Sequence, residues 1–390
     1  MVGLLNSIEA VNVIYGLDIT GAIPYLFAEL VYPSSNVKRY IKEHGITDIV
    51  ILDFWFMSFF KVARELKEDY GIRNIIVVNS PSTKRSLYYP LNILSRLSVV
   101  VNRLSGNHVD YHTMLAKHKD ADINYDTANA SAISIVLSTS GSSTGTGRQI
   151  PFTDVNRNTM ARQIHNSGLK GFKRGIRVGL ELILMSPYIT ITSMNTTLVL
   201  GGTLVANPST FLRIVTNHKW VGTMLEGKPN IALGNTALWK SFQQSPEAAN
   251  ADLSFLRYIV CGGTYSSAQD LQELRDFLHQ RGATDIVIVN GYGATEMCGV
   301  CMCLDDNFQR FDSMGRLMPN VEALIQDAEG NTTSLPTNLS KESCLSAQTP
   351  SRPTSPIANH PSRHASSTTV ASTAPRTSSL TVQKMPAMIS

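Results

Sequence analysis

A β-branched run passes directly into a glycine-rich segment at Asp285-Ile-Val-Ile-Val-Asn-Gly-Tyr-Gly-Ala-Thr-Glu296. The same order recurs where Ala132-Ile-Ser-Ile-Val-Leu137 meets a Ser/Thr/Gly loop and where Tyr258-Ile-Val260 meets Cys261-Gly-Gly263. Short β-branched runs that end in glycine are typical of strands followed by turns. In open α/β sheets, ligands bind where loops leave the carboxyl ends of the strands. The three segments together therefore predict a ligand-binding edge of a sheet.

The rest of the body alternates strand and helix patterns. Ile46-Thr-Asp-Ile-Val-Ile-Leu52 and Asn74-Ile-Ile-Val-Val78 predict strands, and residues 60–67 between them have a helical pattern. Ser266 or Ser267 can cap a helix, whose apolar stripe consists of Leu271, Leu274, Phe277 and Leu278. This alternation predicts an α/β fold, with largely parallel, doubly wound sheets and helices on both faces.

The composition excludes several classes of protein. Apolar residues make up 43% of the 390 residues and charged residues 16%, which is typical of a globular chain with a few subdomains. Residues 331–390 carry five Lys or Arg and one Glu, which accounts for the whole net charge of +4. The neutral remainder argues against a nucleic-acid-binding face.

The same inventory bears on cellular location. Five cysteines are too few for a disulfide framework, and the first residues lack the basic stretch of a secretory leader. The most apolar region, residues 46–62, is interrupted by Asp48 and Asp53, so no transmembrane segment is expected. These features favour a cytoplasmic protein.

The loop Ser138-Thr-Ser-Gly-Ser-Ser-Thr-Gly-Thr-Gly-Arg148 has the chemistry of a phosphate site. Its glycines let backbone N–H groups approach an anion, its hydroxyls add donors, and Arg148 supplies a planar cation. The loop lacks the Gly-Lys-Ser/Thr of a Walker A motif. A flexible surface turn is the alternative.

The other two segments offer complementary groups. Tyr292 can lie flat against a base, Thr295 can donate to a phosphate, and Glu296 is a hard oxygen ligand suited to Mg²⁺. Cys261-Gly-Gly-Thr264 gives backbone access beside a ligand. The alternatives are a tight turn with an exposed acid for the first segment and close strand–helix packing for the second.

Two other segments match known site patterns only in part. Gly141-Ser-Ser-Thr-Gly145 fits the nucleophile elbow of hydrolases, with Ser143 as nucleophile, but Arg148-Gln-Ile-Pro-Phe152 follows where a helix is required. This stretch predicts the returning arm of a hairpin, with Thr153 or Asp154 capping the next helix. Cys298, Cys301 and Cys303 lack a fourth ligand for structural zinc and are interpreted as core residues.

The set of motifs resembles the adenylate-forming, or AMP-binding, enzymes of the acyl-CoA synthetase type. Their hallmark loop reads roughly Thr-Ser-Gly-Ser/Thr-Thr-Gly-x-Pro-Lys, and Tyr-Gly-x-Thr-Glu follows later, about thirty residues after a Gly-Gly turn. Gly315-Arg-Leu-Met-Pro-Asn-Val-Glu322 matches the next family segment, and Asp252-Leu-Ser-Phe-Leu-Arg-Tyr258 and Leu5-Asn-Ser-Ile-Glu-Ala10 are also similar. The resemblance covers residues 1–330.

The resemblance implies ATP-dependent activation of a small-molecule carboxylic acid, followed by transfer of the acyl group to coenzyme A. Thr295 would contact the α-phosphate, and Glu296 would hold Mg²⁺. Residues 185–188 and 261–264 would line the acyl pocket. The nucleotide-binding residues it implies are Thr139, Ser140, Gly141, Ser142, Ser143, Thr144, Gly145, Arg148, Gly262, Gly263, Asn290, Gly291, Tyr292 and Gly293.

The implied organisation has four parts. Residues 1–130 form a first α/β subdomain incomplete at its start, and 131–310 a second subdomain with the nucleotide loops. Residues 311–330 begin a small β-barrel, and 331–390 form a disordered tail rich in Ser, Thr, Pro and Ala.

This chain also departs from the family pattern. Gly147 and Arg148 stand where the family has Pro and Lys, and the C-terminal lid domain with its catalytic Lys is not recognised. We therefore expect a truncated chain with impaired turnover. A non-catalytic nucleotide-binding remnant and a peptide-synthetase-type adenylation domain are the alternatives.

Overall fold

The computed structural model describes residues 1–27, 36–52, 65–78, 108–122, 129–139, 148–182, 186–206, 219–326, 332–334, 367–371 and 379–384. The chain divides into two compact units. Unit 1 consists of Met1–Asp154, Glu181–Ser186 and Ala206–Thr223, and unit 2 of Val155–Leu180, Pro187–Val205 and Met224–Ser390.

Unit 1 is built on a seven-stranded sheet in the order β5-β4-β3-β1-β2-β6-β7. Pairing is parallel from β5 to β6, and β6 and β7 form an antiparallel hairpin. The strands are β1 (Val2–Gly3), β2 (Tyr25–Leu26), β3 (Asp48–Leu52), β4 (Asn74–Val78), β5 (Val109–Asp110), β6 (Ile133–Ser138) and β7 (Gln149–Thr153). The helices are α1 (Ile8–Ile19), α2 (Asn36–Glu43) and α3 (Tyr111–Lys117).

The core of unit 1 forms where helix α2 packs against β3 and β4. Tyr40 and Ile41 of the helix share one buried cluster with Ile49, Ile51 and Ile75 of the strands. Both faces of β3 are buried, as expected of a central parallel strand. The strand predicted at 74–78 is confirmed. Of the helix predicted at 60–67, residues 65–67 are helical and 60–64 lie outside the described residues.

The second sheet has the order β14-β13-β12-β11-β10-β8-β9. Its central strands β8, β10, β11 and β12 are parallel, whereas β13 and β14 continue antiparallel. The strands are β8 (Arg177–Leu180), β9 (Thr203–Ala206), β10 (Ile231–Gly234), β11 (Tyr258–Cys261), β12 (Val287–Ala294), β13 (Gly299–Cys303) and β14 (Arg316–Leu317).

The helices between residues 154 and 297 follow the predicted alternation. They are α4 (Asp154–His165), α5 (Thr196–Val199), α6 (Lys219–Gly227), α7 (Thr236–Gln243), α8 (Pro246–Ala249) and α9 (Ala268–His279), with a π-helix at Tyr188–Asn195 and a 3₁₀ turn at Thr295–Met297. Ser267 caps α9 through the N–H of Asp270, 3.1 Å away, and Asp270 completes a capping box. Leu271, Leu274 and Leu278 are buried as predicted, while Phe277 is half-buried.

The end of the chain differs from the expectation of disorder after residue 331. Strand β15 (Val321–Gln326) pairs with β16 (Thr332–Ser334) and β18 (Ser379–Lys384), and β17 (Ser367–Ala371) pairs with β18, all antiparallel. Backbone hydrogen bonds between these strands form the sheet, although residues 331–390 contain no Phe, Trp or Tyr. Most of 331–390 lies outside the described residues, where disorder stays a prediction. Among the described helices, none has the length and apolar character that crossing a membrane requires.

Candidate functional site

Strand β12 changes its pairing partner from β11 to β13 within the glycine-rich segment, and the candidate site lies after this change. Residues 287–290 pair in parallel with β11, up to Asn290 opposite Cys261. From Gly291 the strand pairs antiparallel with β13, with an irregularity between Tyr292 and Gly293. The sequence predicted a turn at 290–293, and that prediction is wrong: the segment is extended strand. The turn comes later, at residues 295–298.

Glycine permits the close approach of the two strands of this hairpin. A β-carbon on Gly293 would lie 2.2 Å from the Gly299 carbonyl oxygen, so a larger residue would separate β12 from β13. The hairpin closes through the 3₁₀ turn Thr295–Met297 and through Cys298, whose φ of 62° lies in the left-handed region. This closure fixes the backbone on which Thr295 and Glu296 stand.

The side chains near the end of β12 differ in exposure. Tyr292, Thr295 and Glu296 are half-buried, whereas Asn290 is buried and its amide lies 3.8 Å from Met314 Sδ. Burial raises the pKa of Tyr292 to about 12, so the phenol stays neutral at physiological pH. Tyr292, Thr295 and Glu296 are therefore within reach of a ligand, while the Asn290 side chain faces the interior.

The predicted Gly-Gly turn follows β11, the neighbour of β12. The N–H of Gly262 donates to the Gly234 carbonyl, 3.1 Å away, and Gly263 takes a φ of +78°. Cys261 is buried just before the turn, and burial raises the pKa of its thiol to about 12. The turn at 262–263 and the end of β12 thus leave the same sheet at adjacent strands.

Tyr188 lies beneath this turn. Its hydroxyl lies 3.1 Å from the Val260 carbonyl oxygen and 3.3 Å from that of Gly234, so its single proton has an acceptor on each of two neighbouring strands. A β-carbon on Gly262 would be 3.1 Å from Tyr188 Cζ, so the ring fills the space that glycine leaves. Of the predicted acyl-pocket segment 185–188, Met185 lies outside the described residues.

The π-helix that begins at Tyr188 was missed by the sequence analysis. The hydroxyls of Ser193 and Thr196 each donate to the carbonyl five residues earlier. Its Thr192 hydroxyl would lie 2.3 Å from a β-carbon on Gly299, so the π-helix packs against the turn that carries Glu296. Single-turn π segments are frequent at functional sites, but residue types alone do not separate them from α-helix.

The Ser/Thr/Gly loop belongs to unit 1. Strands β6 and β7 lead into it, and Thr139 and Arg148 close it through two hydrogen bonds of 2.8 Å, from the N–H of Thr139 to the Arg148 carbonyl and from the N–H of Arg148 to Thr139 Oγ1. The predicted hairpin is confirmed, and where the described residues resume, at 148–153, they form strand β7 and not the helix of a nucleophile elbow. Ser140, Gly141, Ser142, Ser143, Thr144 and Gly145 lie outside the described residues.

The donor set at the end of β12 fits a nucleotide with a divalent cation. Glu296 supplies hard carboxylate oxygens, Thr295 a hydroxyl beside it, and Tyr292 an aromatic face on the same strand. In the described part of the chain, no three His, Cys, Asp or Glu side chains cluster as metal ligands, so a cation here would need oxygens from the ligand. Cys298, Cys301 and Cys303 are buried thiols.

A cavity of about 530 Å³ lies elsewhere in unit 2 and is lined by Asn166, Asp305, Arg316 and Glu322. The family-like segment 315–322 contributes much of its wall. Cys303 in this wall is paired with Gly291 across the hairpin, at the end away from Thr295 and Glu296. Arg316 is engaged there with Asp305, at 3.6 Å, and with the Phe308 ring.

Comparisons with known proteins bear on the family and the fold of the chain. Residues 4–337 match the family described as AMP-binding enzyme. The chain is 28% identical over 141 residues to the nonribosomal peptide synthetase pngA of Aspergillus terreus, which is 34% of this chain and 14% of that protein. It is 30% identical over 122 residues to the probable 4-coumarate–CoA ligase 3 of Dictyostelium discoideum, which is 31% of this chain and 20% of the relative.

A solved structure shares the fold. The anthranilate CoA ligase AuaEII, in complex with anthranoyl-AMP, matches with a TM-score of 0.62 and 17% sequence identity, over 85% of this chain and 57% of that chain. The chain thus spans little more than half the length of this structural relative. The fold is that of the large N-terminal domain of adenylate-forming enzymes. Because the family match covers most of the sequence, the chain belongs to the AMP-binding enzyme family.

Proposed function

We propose that this protein activates a carboxylic acid with ATP and passes the acyl group to a thiol. The observation that carries the proposal is the run from Tyr292 to Glu296, which forms the end of β12 and the turn after it in a member of the AMP-binding family. Along the sequence, the aromatic ring of Tyr292, the hydroxyl of Thr295 and the carboxylate of Glu296 follow one another in the order of a base, an α-phosphate and a cation.

The first step is a phosphorus displacement. A carboxylate oxygen of the acid forms a bond to the α-phosphorus of ATP, the bond from that phosphorus to the bridging oxygen breaks, and pyrophosphate leaves. Tyr292 would stack on the base, Thr295 would donate to an α-phosphate oxygen, and Glu296 would hold Mg²⁺, which would supply neutralisation of phosphate charge. Positioning and charge neutralisation supply most of the rate gain in such reactions. The resemblance to the family assigns the segment from Ser140 to Gly145 to the β- and γ-phosphates.

The second step transfers the acyl group. A thiol sulfur forms a bond to the acyl carbon, and AMP leaves as the acyl–phosphate bond breaks. We favour coenzyme A as the thiol, in line with the similarity to a probable 4-coumarate–CoA ligase. The similarity to a peptide synthetase supports a carrier-protein thiol as the second candidate.

Pyrophosphate exchange tests the first step. Purified protein is incubated with ATP, Mg²⁺, labelled pyrophosphate and a panel of carboxylic acids, and label in ATP is counted. We expect exchange that depends on the acid and falls by ~100-fold or more in Glu296→Gln, since a preorganised electrostatic contact to phosphate is lost. Glu273→Gln, an exposed carboxylate on α9, is the matched control and should exchange normally.

AMP binding by calorimetry separates the outcomes. Binding without exchange for any acid would favour a nucleotide-binding protein without turnover. Absence of both would contradict the proposal. Adding coenzyme A or a pantetheinylated carrier protein to an active mixture then identifies the acceptor.

A further inference from the structure

The cavity of about 530 Å³ in unit 2 has a wall that the fold holds in place. The N–H of Val321 donates to the Met318 carbonyl, 3.1 Å away, and closes a turn there. Asn320 takes a φ of 59°, as Asn at the third position of such a turn commonly does. The side-chain amide of Gln163 on α4 donates to the Pro319 carbonyl, 2.7 Å away, and fastens the turn to the helix. This wall is therefore formed before any ligand enters, and the volume is within the ~300–1,000 Å³ of small-molecule sites.

The loop after α4 forms a second wall. The Asp306 carboxylate accepts hydrogen bonds from the Tyr258 hydroxyl, at 2.6 Å, and from the N–H of Lys170, at 3.0 Å, and so joins this loop to β11 and to the segment after β13. Gly168 in the loop packs against Asp305, since a β-carbon on Gly168 would overlap Asp305 Oδ2. The carboxylate of Asp305 thus has a defined place in the cavity wall.

Asp305 and Arg316 bring opposite charges to the cavity, and the protein uses only part of their hydrogen-bonding capacity. Asp305 is 6% exposed, and its Oδ1 accepts the N–H of Asn307 at 2.8 Å. Its Oδ2 lies 3.6 Å from Arg316 Nη1, which is too far for a hydrogen bond. The Arg316 guanidinium lies over the Phe308 ring, and within the described part of the chain no group accepts a hydrogen bond from it. The carboxylate can therefore accept a ligand donor, and the guanidinium can donate to a ligand.

The charges of the lining restrict which ligand fits. Of the described residues that line the cavity, three are charged, and they are Asp305, Arg316 and Glu322. An anion would meet the guanidinium but also two carboxylates, and a cation would meet the carboxylates but also the guanidinium. A ligand that carries one cationic and one anionic group close together can place each beside the opposite charge. The lining therefore favours a zwitterion.

We propose that the cavity is a binding site for an α-amino acid with an apolar side chain. The ammonium group of this ligand donates to Asp305 Oδ2, and its carboxylate accepts from the planar guanidinium of Arg316. The ligand side chain packs against Met318 and Val321, which are buried apolar residues of the wall. The site lies at the end of the β12–β13 hairpin away from Glu296, so the inference goes beyond the proposed function and does not depend on it.

Calorimetry with three ligands that share one apolar group tests the proposal on the full chain. Leucine carries both charges, 4-methylpentanoate lacks the ammonium group, and 3-methylbutylamine lacks the carboxylate. We expect leucine to bind at least ~10-fold more tightly than either analogue, because each analogue loses hydrogen bonds to a charged group. ATP and Mg²⁺ are left out, so that turnover contributes no heat.

Two variants assign the ligand groups to their partners. Asp305→Asn keeps the side-chain shape and should weaken leucine by ~10-fold or more without weakening 4-methylpentanoate. Arg316→Gln should weaken leucine as strongly without weakening 3-methylbutylamine. Arg275→Gln removes an arginine that lies over the Phe311 ring outside the cavity, and as the matched control it should bind leucine normally.

A third variant covers the case in which a change at Asp305 or Arg316 prevents folding. Glu322→Lys alters an exposed position and should weaken leucine more than 4-methylpentanoate. Leucine that does not bind, or that binds no more tightly than the analogues, would overturn the proposal. So would leucine binding that none of the folded cavity variants weakens, since the amino acid would then lie elsewhere. Neither result bears on the proposed function, which pyrophosphate exchange tests separately.

Discussion

Two buried thiols end strands of the second sheet. Cys261 ends β11 and Cys303 ends β13. Burial raises the pKa of each thiol to about 12, and the nearby Asp305 charge adds to the shift at Cys303. An unfolded cysteine titrates near ~8.5. Above that pH the unfolded chain loses protons that the folded chain keeps, so the thiols stabilise the fold fully below pH ~8.5 and progressively less as the pH rises.

This difference predicts a measurable alkaline loss of stability. Between pH ~8.5 and ~10, before tyrosines ionise in the unfolded chain, the free energy of unfolding should fall by up to ~1.4 kcal/mol per pH unit for each thiol. Urea unfolding at a series of pH values measures the slope. The Cys261→Ala/Cys303→Ala variant should be less stable at pH 7 but show a flatter slope. An equal slope in both proteins would contradict the assignment.

At the residue scale, sequence can propose the groups that a motif carries. The roles of Tyr292, Thr295 and Glu296 stay predictions, but these residues could be named as candidates from their types and spacing. The contact between Thr192 and Gly299 could not, since it joins residues far apart in sequence and depends on the packing of a π-helix. The burial of Asn290 was equally invisible, because it depends on the position of Met314.

At the element scale, the first turn of α9 offers a clean test of capping. The Ser267 hydroxyl accepts from the N–H of Asp270, and the Asp270 carboxylate accepts from the N–H of Ser267, 3.3 Å away. Ser267→Ala should lower the free energy of unfolding by ~1 kcal/mol, because one N–H at the helix start loses its acceptor. Ser267→Gly is the matched control and should cost only a few tenths of a kcal/mol. Urea unfolding distinguishes them, and equal losses would show that the cap does not determine stability.

Elements were predictable where the local pattern and the tertiary environment agree. The strand at 74–78 is apolar and β-branched, and it lies in a buried parallel sheet. The hairpin β6–β7 followed from Pro151, which excludes a helix interior and is tolerated here on an edge strand. Residues 290–293 were misassigned because glycine usually ends a strand, whereas here it lets β12 and β13 approach closely.

At the scale of the whole molecule, alternation and motif order predicted an α/β fold of the adenylate-forming type. Sequence could not give the division into two units, because residues 181–186 and 206–223 belong with the N-terminal part despite their positions in the chain. Such interleaving depends on contacts distant in sequence. The strands after residue 331 were missed for a related reason, since β16 and β18 pair with β15, and β17 pairs with β18.

The two units predict separate unfolding events, because each has its own sheet and buried core. Trp220 is buried in unit 1 and Trp239 is buried in unit 2. In one variant Trp55 and Trp239 are replaced by Phe, so that the fluorescence of Trp220 reports on unit 1. In the other variant Trp55 and Trp220 are replaced by Phe, so that the fluorescence of Trp239 reports on unit 2. We expect two urea midpoints by tryptophan fluorescence.

AMP lacks β- and γ-phosphates, and at a hundredfold excess over its dissociation constant it should stabilise the unit that holds Tyr292 and Glu296 by ~2.7 kcal/mol. The Trp239 midpoint should therefore move while the Trp220 midpoint stays in place. Coincident midpoints that shift together would instead show a single cooperative unit, and Glu273→Gln should reproduce the unmodified pattern in either case.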